Sequence, residues 1–109
     1  MFHMLTCFNL RPGEALGAVQ QALDVSTAHM QEHDLVVSNS PIGLRQSDTP
    51  MDTDGERHHQ YFTTTTFRDR AQVDAAYDYI KAHTEPGFTI HNAVYSRVQD
   101  AIFICWQDT

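Results

Sequence analysis

Apolar residues repeat along this chain with two different periods, and the order of those periods limits the fold more than any other feature. A two-residue alternation indicates a strand, and a spacing of three to four residues indicates a helix. The strand pattern occurs four times, at residues 2–10, 35–46, 60–67 and 101–108. One helical pattern follows the first strand and another follows the third. The predicted order is therefore β-α-β-β-α-β.

This order predicts an α+β fold of the ferredoxin-like, split βαβ type. Residues 1–109 are expected to form one domain with a four-stranded antiparallel sheet. In that sheet the fourth predicted strand lies beside the first, the first beside the third, and the third beside the second. Two helices cover only one face of such a sheet. The other face must meet solvent, a ligand or a second subunit.

Local signals set the expected helix boundaries. The first helix is predicted from Pro12, which suits a first helical position, to about residue 33. Asp69 is the predicted cap of the second helix, with Gln72 three residues on as in a capping box. The sequence EPG at 85–87 is predicted to end that helix. Residues 88–98 are compatible with a short helix or an extended connection.

Four consecutive threonines, residues 63–66, stand between aromatic residues in the third predicted strand. Odd-numbered residues from Tyr61 to Phe67 share one face, and residues 62, 64 and 66 share the other. Threonine suits a surface that becomes covered, because its methyl group packs while its hydroxyl forms a hydrogen bond. Simple strand propensity explains the same run.

The charge balance argues against several partners. Fourteen acidic and seven basic residues give a net charge of −7, and Lys81 is the only lysine. Such a chain is repelled by nucleic acid and by anionic membrane surfaces. No apolar run approaches the roughly 20 residues of a membrane helix, and the N-terminus lacks the features of a signal peptide. Cys7 and Cys105 are expected to be free thiols, as is typical of the reducing cytoplasm, so a cytoplasmic location is expected.

The element order, the length and the apolar second sheet face resemble those of the dimeric α+β barrel superfamily. The resemblance implies a homodimer in which two sheets pack by their open faces. Members include cofactor-free monooxygenases, heme-degrading enzymes, isomerases and small stress-induced proteins. Asn9 and His83 lie in regions similar to those that heme-degrading members use, but no tryptophan lies near the third strand. No cofactor is therefore expected.

Four residues are predicted to line a pocket for a small organic ligand. His3 and Asn9 share a strand face with Cys7, and His59 and Tyr61 stand at the start of the third strand. His58 is an alternative to His59. His3 and Cys7 are about 13 Å apart along the strand, too far for a catalytic pair. An exposed histidine or a dimer interface explains the same residues.

Two patterns suggest metal sites. His29 and His33, in HMQEH, could bind zinc from one helix face, although cations are also favoured near a helix C-terminus. The acidic loop at 47–58, predicted to be a long mobile hairpin loop, could hold a cation through Asp48, Asp52 and Asp54, or be a solvated turn.

Three functions thus remain open. The first is binding of a small organic ligand in the barrel cavity, between the sheet and either its helices or the partner subunit, with conversion by a cofactor-free monooxygenase or an isomerase as an extension. The second is a non-catalytic dimer that acts through its surface in stress or interaction. The third is a metal-binding protein that uses His29 and His33.

Overall fold

The structure is a computed structural model that describes residues 1–109 as five strands and three helices. The strands are β1 (Phe2–Leu10), β2 (Ser38–Asn39), β3 (Gly43–Leu44), β4 (Tyr61–Phe67) and β5 (Val98–Gln107). The helices are α1 (Leu16–Glu32), α2 (Arg70–Lys81) and α3 (Gly87–Tyr95). None of these helices is long and apolar enough to cross a membrane.

All paired strands run antiparallel, in the order β2-β4-β1-β5, and β3 pairs farther along β4. The predicted α+β class and the predicted strand neighbours are confirmed. The sheet has five strands rather than four because the second predicted strand is divided. Pro41 lies between the two pieces and has no N–H to donate to a ladder. Both pieces pair with the same edge of β4, so the layout is that of a four-stranded sheet.

The segment Arg11–Glu14 is a turn, and the prediction that Pro12 opens the first helix is wrong. The Glu14 N–H donates to the Arg11 carbonyl at 3.1 Å. Gly13 has a φ of 85°, a left-handed conformation that favours glycine. The Arg11 N–H donates to the Arg97 carbonyl at 3.0 Å, which holds the turn against the segment before β5. Helix α1 begins only after this turn, at Leu16.

Helix α2 begins as the sequence predicts. Asp69 is its N-cap residue, and the carboxylate accepts a hydrogen bond of 2.9 Å from the Gln72 N–H. The helix ends at Lys81, before the EPG segment. Residues that the sequence left open form α3, which packs against α1 and α2. Three helices, rather than two, therefore cover one face of the sheet.

The two faces of the sheet differ in what covers them. Phe2, Met4, Thr6 and Phe8 of β1 lie opposite Phe67, Thr65, Thr63 and Tyr61 of β4. These residues form the helix face, which packs against the helices in two core clusters. The open face is formed by nine residues of the three longest strands. They are His3, Leu5, Cys7, Phe62, Thr64, Thr66, Ile102, Ile104 and Trp106.

Candidate functional site

A cavity of about 580 Å³ lies between the helix face of the sheet and the three helices. Sixteen residues line it, and 11 of them are hydrophobic, so apolar contact dominates its wall. The sheet side is formed by Met4, Val36, Asn39, Thr65, Phe67 and Phe103. The helix side is formed by Leu23, Ser26, Thr27, Met30, Ala76, Tyr77, Ile80, His91, Val94 and Tyr95.

The periodicities of strand and helix bring these side chains to one space. Thr65 and Phe67 are two residues apart in β4, so both point to the helix face. In α1, Leu23, Thr27 and Met30 follow the helical spacing that places them on one side. The lining residues of α3 are His91, Val94 and Tyr95, which share a face in the same way.

The polar groups on the sheet side of the cavity already bind one another. The Asn39 amide Nδ2 donates to the Thr63 hydroxyl at 2.7 Å and to the Ser40 carbonyl at 3.0 Å. The Thr65 hydroxyl makes a short hydrogen bond to the amide oxygen of Asn39. These hydrogen bonds fix the polar atoms in place and leave few unpaired donors on this wall.

The ionisable groups of the cavity are one histidine and two tyrosines; no Asp, Glu, Lys or Arg side chain lines it. Burial lowers the pKa of His91 below its ordinary 6.5, and the charge of His83 acts in the same direction. Burial raises the pKa of Tyr95, and a hydrogen bond with Thr6 partly offsets that effect. At neutral pH the cavity therefore holds a neutral imidazole beside a neutral phenol.

Helix α3 supplies this pair, and the sequence analysis missed it. His91 and Tyr95 are four residues apart, and their ring centroids lie 4.7 Å apart. The spacing of His91, Val94 and Tyr95 is the signal that a helical reading of residues 88–98 would have used. This helical pattern covers only a few residues, and residues 88–98 are equally compatible with an extended connection.

None of the four residues predicted to line a ligand pocket lines this cavity. His3 and Tyr61 lie on opposite faces of the sheet: His3 stacks on Trp106 with 5.1 Å between ring centroids, and Tyr61 stacks on Phe8 at 5.7 Å. The His3 Nε2 is 2.8 Å from the Asp108 carboxylate.

Asn9 and His59 do come together, at a bulge in the sheet. The Asn9 amide donates to the Asp100 carboxylate at 3.2 Å and accepts from the Gln60 N–H at 2.9 Å. The His59 Nε2 is 2.7 Å from the Asp100 carbonyl, and its Nδ1 is buried with no hydrogen-bond partner. Asp100 has a φ of 59°, in the left-handed region. A ligand role for His3, Asn9, His59 and Tyr61 stays a prediction.

The two histidines proposed as metal ligands lie close together near the end of α1. The rings of His29 and His33 are 4.4 Å apart, edge to face. The His29 Nε2 is 2.7 Å from the Tyr79 hydroxyl, which joins α1 to α2. No group of three or more His, Cys, Asp or Glu side chains that could hold a metal ion occurs in the structure.

The acidic loop binds arginine through its carboxylates. Arg45 makes two parallel hydrogen bonds to the Asp52 carboxylate, at 2.8 and 2.9 Å, and also donates to the carbonyls of Asp54 and Arg57. Arg57 binds the Asp54 carboxylate at 2.7 Å, and this hydrogen bond is the main cause of an Asp54 pKa of about 2. Two of the three carboxylates proposed for a cation are therefore neutralised within the loop.

Comparison with known proteins identifies structures of similar fold but no relative by sequence. No protein-family model matches the chain, and no curated protein matches its sequence. Among solved structures, a protein of Arabidopsis thaliana superposes with a TM-score of 0.75 at 7% identity, covering 100% of this chain and 96% of that one.

Two further neighbours resemble the whole chain. A structure described as an antibiotic biosynthesis monooxygenase superposes with a TM-score of 0.61 at 15% identity, over 100% of this chain and 99% of that one. A dimeric ferredoxin-like protein of unknown function from Jannaschia sp. CCS1 gives 0.67 at 11% identity, over 98% of each chain. Together with the strand order, these superpositions show that the chain has the ferredoxin-like α+β fold.

Proposed function

We propose that this protein is a homodimer that binds a small, uncharged and largely apolar organic molecule in the cavity between the sheet and its helices. The observation that carries the proposal is the cavity of about 580 Å³ without a charged side chain in its wall. Ligand sites of about 300–1,000 Å³ hold drug-sized molecules, and most are apolar with a few placed polar groups. An ion would find no counter-charge there.

The homodimer is supported by the open face. Ile104 and Trp106 are 45% and 44% exposed, beside Leu5 and His3 on the neighbouring strand. Contiguous apolar surface of this kind marks an interface. One of the fold neighbours is described as dimeric. That neighbour shares only its fold with this chain. A homodimer is nevertheless the best explanation for the exposed Ile104 and Trp106.

Binding can be tested with N-phenyl-1-naphthylamine, an uncharged dye that becomes fluorescent in apolar sites. Ser26 lines the cavity, so Ser26→Phe fills part of its volume. The matched control is Ala28→Phe, an exposed position of the same helix. We expect at least tenfold weaker dye binding for Ser26→Phe and unchanged binding for Ala28→Phe. Equal binding by both variants, or no binding by the native protein, would contradict the proposal.

A catalytic extension rests on His91. A neutral imidazole in an apolar cavity can accept a proton from a bound C–H acid, because burial keeps its pKa low and the nitrogen unprotonated. An isomerase returns that proton to a different carbon. In a cofactor-free monooxygenase, molecular oxygen adds to the carbanion. The resulting peroxide takes up a proton and then loses water to leave a carbonyl product. Both reactions use the same first step.

The test of this extension begins with mass spectrometry of the native protein purified without added ligand. A small co-purified molecule would give the compound class to assay for oxygen uptake or isomerisation. His91→Gln should abolish turnover while dye binding is retained. Full turnover by His91→Gln would exclude the histidine as the base. A dimer that binds dye but turns over none of the compounds would favour a non-catalytic role.

The other two hypotheses have less support. A non-catalytic dimer that acts only through its surface needs no internal space, whereas this chain forms a cavity between its sheet and its helices. A metal-binding role through His29 and His33 lacks a third ligand, and the Nε2 of His29 is already hydrogen-bonded to Tyr79. Metal analysis of the purified protein would test that role directly.

A further inference from the structure

We propose that the second copy of the chain reaches around the outer edge of β5 and completes the wall of the ligand cavity, so that ligand binding and dimerisation strengthen each other. The proposal rests on the proposed function and extends it: each cavity is finished by the partner subunit. A dimer in which only the two open faces meet would leave the cavity as it is in one chain.

The first observation is that β5 is an edge strand with apolar residues exposed on both of its sides. Ile104 and Trp106 belong to the open face, and Phe103 belongs to the helix face. Phe103 is nevertheless 49% exposed, slightly more than Ile104 and Trp106 of the open face. A partner that only covers the open face buries Ile104 and Trp106 and leaves Phe103 in water.

The second observation is that Phe103 is part of the cavity wall. It lines the cavity, and its ring centroid lies 5.9 Å from that of Tyr95 on α3. Phe103 thus forms the part of the cavity wall that lies at the β5 edge of the sheet. Anything that covers the outer side of Phe103 also closes the cavity there.

The character of β5 favours a second copy of this chain as the cover. Residues 102–106, IFICW, contain no charge and no proline, the features by which proteins usually protect an edge strand from pairing. The nine residues of the open face include no Asp, Glu, Lys or Arg. A chain with a net charge of −7 repels its own copies elsewhere, whereas these nine side chains carry no carboxylate and the neighbouring Asp108 carboxylate is paired with His3 and the N-terminus. Two copies can therefore meet at this face.

The coupling follows from thermodynamic linkage. If the completed wall makes the ligand bind α-fold more tightly in the dimer than in the monomer, the ligand must strengthen the dimer by the same factor for each occupied site. Diluting the protein would then weaken ligand binding, and adding ligand would shift the dimer to lower protein concentrations. A cavity that is complete within one chain shows neither effect.

The position of Cys105 distinguishes this arrangement from a simple face-to-face dimer. Cys105 is an exposed free thiol that lies opposite Met4, on the helix face of β5. A partner around the edge covers it, whereas a partner on the open face does not. We expect 5,5′-dithiobis(2-nitrobenzoate) to label Cys105 at least tenfold more slowly in the dimer than in the monomer. Equal labelling rates in the two states would overturn the proposal.

The monomer can be obtained with Ile104→Glu, which places a charge on the open face without touching the cavity. Val25→Glu is the control, since Val25 is 51% exposed on α1. We expect Ile104→Glu to be monomeric, to label rapidly at Cys105 and to bind N-phenyl-1-naphthylamine at least tenfold more weakly. Val25→Glu should match the native protein in all three. An Ile104→Glu variant that stays dimeric would overturn the interface.

Dilution of the native protein provides the same comparison without a substitution, should Ile104→Glu fail to fold. The labelling rate of Cys105 should rise and dye binding per chain should fall across the concentration range where the dimer dissociates. A folded monomer that binds the dye as well as the dimer would overturn the inference and leave the proposed ligand binding intact. A dimer that protects Cys105 but binds no dye would contradict the proposed function and support the partner's cover of β5.

Discussion

The side-chain amide of Asn39 donates a 2.7 Å hydrogen bond to the hydroxyl of Thr63, across the edge of the sheet where β2 pairs with β4. The same hydroxyl donates to the Ser40 carbonyl at 2.9 Å. Thr63 is 6% exposed, so both bonds are made away from solvent. Strand propensity alone therefore does not account for the threonine run. On the helix face its hydroxyls form hydrogen bonds with Asn39 and Ser40 beside the neighbouring strand.

We expect Thr63→Val to lower the free energy of unfolding by about 1–2 kcal/mol, because the Asn39 amide and the Ser40 carbonyl lose a buried partner. The shape of the side chain is nearly unchanged. Thr64→Val is the control, since Thr64 belongs to the open face, and we expect it to change stability by less than about 0.5 kcal/mol. Urea unfolding at one protein concentration measures both. Equal losses would show that the hydroxyl of Thr63 contributes nothing specific.

Gln72 joins the end of α1 to the start of α2. It is 3% exposed; its amide donates to the Asp34 carbonyl at 3.0 Å, and its oxygen accepts from the Arg68 N–H at 2.7 Å. We expect Gln72→Leu to lower the free energy of unfolding by about 2–3 kcal/mol, because two backbone groups are left unpaired near the core. Gln21→Leu, at an exposed site on α1, should change it by no more than about 0.5 kcal/mol. Thermal unfolding would show the difference.

Most of the fold could be read from the sequence because β1, β4 and α2 carry strong local signals. The alternation in Tyr61–Phe67 and the cap at Asp69 depend on neighbours within a few residues. Helix α3 could not be read in this way. It has nine residues, a length at which a helix depends on packing more than on its own propensity.

The residues that line the cavity could not be predicted, for a different reason. β1 has apolar residues on both faces, so the sequence does not show which side the helices cover. The predicted ligand residues His3 and Asn9 share a strand face with Cys7, and the structure places His3 on the open face rather than beside the cavity. The cavity itself is a gap between layers. The size of the cavity depends on the distance between α3 and the sheet, and no local sequence pattern determines that distance.

Arg45 organises the acidic loop before β4. Its side chain is 10% exposed, and its hydrogen bonds to Asp52 and to two loop carbonyls replace contacts with water. We expect Arg45→Ala to lower the melting temperature clearly more than Arg70→Ala, because Arg70 is 71% exposed and forms a pair with Asp74 along one helix. The Asp52 pKa is lowered mainly by the hydrogen bond from Arg45. Stability from this pair is thus present at neutral pH and is lost as the carboxylate becomes protonated in acid.

Differential scanning fluorimetry at pH 7 and in acid tests the contribution of Arg45. The difference between native protein and Arg45→Ala should shrink as the pH falls, while the effect of Arg70→Ala stays small throughout. Proteolysis should cut the acidic loop at 47–58 faster in Arg45→Ala than in the native protein. A melting temperature equal to that of Arg70→Ala would mean that the loop is held by other contacts.

His91 gives the cavity a dependence on pH. Its pKa is lowered by burial and by His83, so the unfolded chain binds more protons than the folded chain just below pH 6.5. Stability should therefore decrease as the pH falls from 6.5 toward the folded-state pKa. Binding of an uncharged ligand should weaken over the same range, because an imidazolium in this wall has no carboxylate to pair with.

The comparison variant is His91→Gln, which keeps a polar side chain without a titrating group. We expect dye binding by the native protein to fall between pH 7 and pH 5, and binding by His91→Gln to remain level over that interval. His58→Gln is the control, since His58 is exposed and lies outside the cavity wall. It should follow the native curve. If His91→Gln and the native protein lose binding in parallel, another group controls the cavity, and His91 would no longer be the base on which the catalytic extension depends.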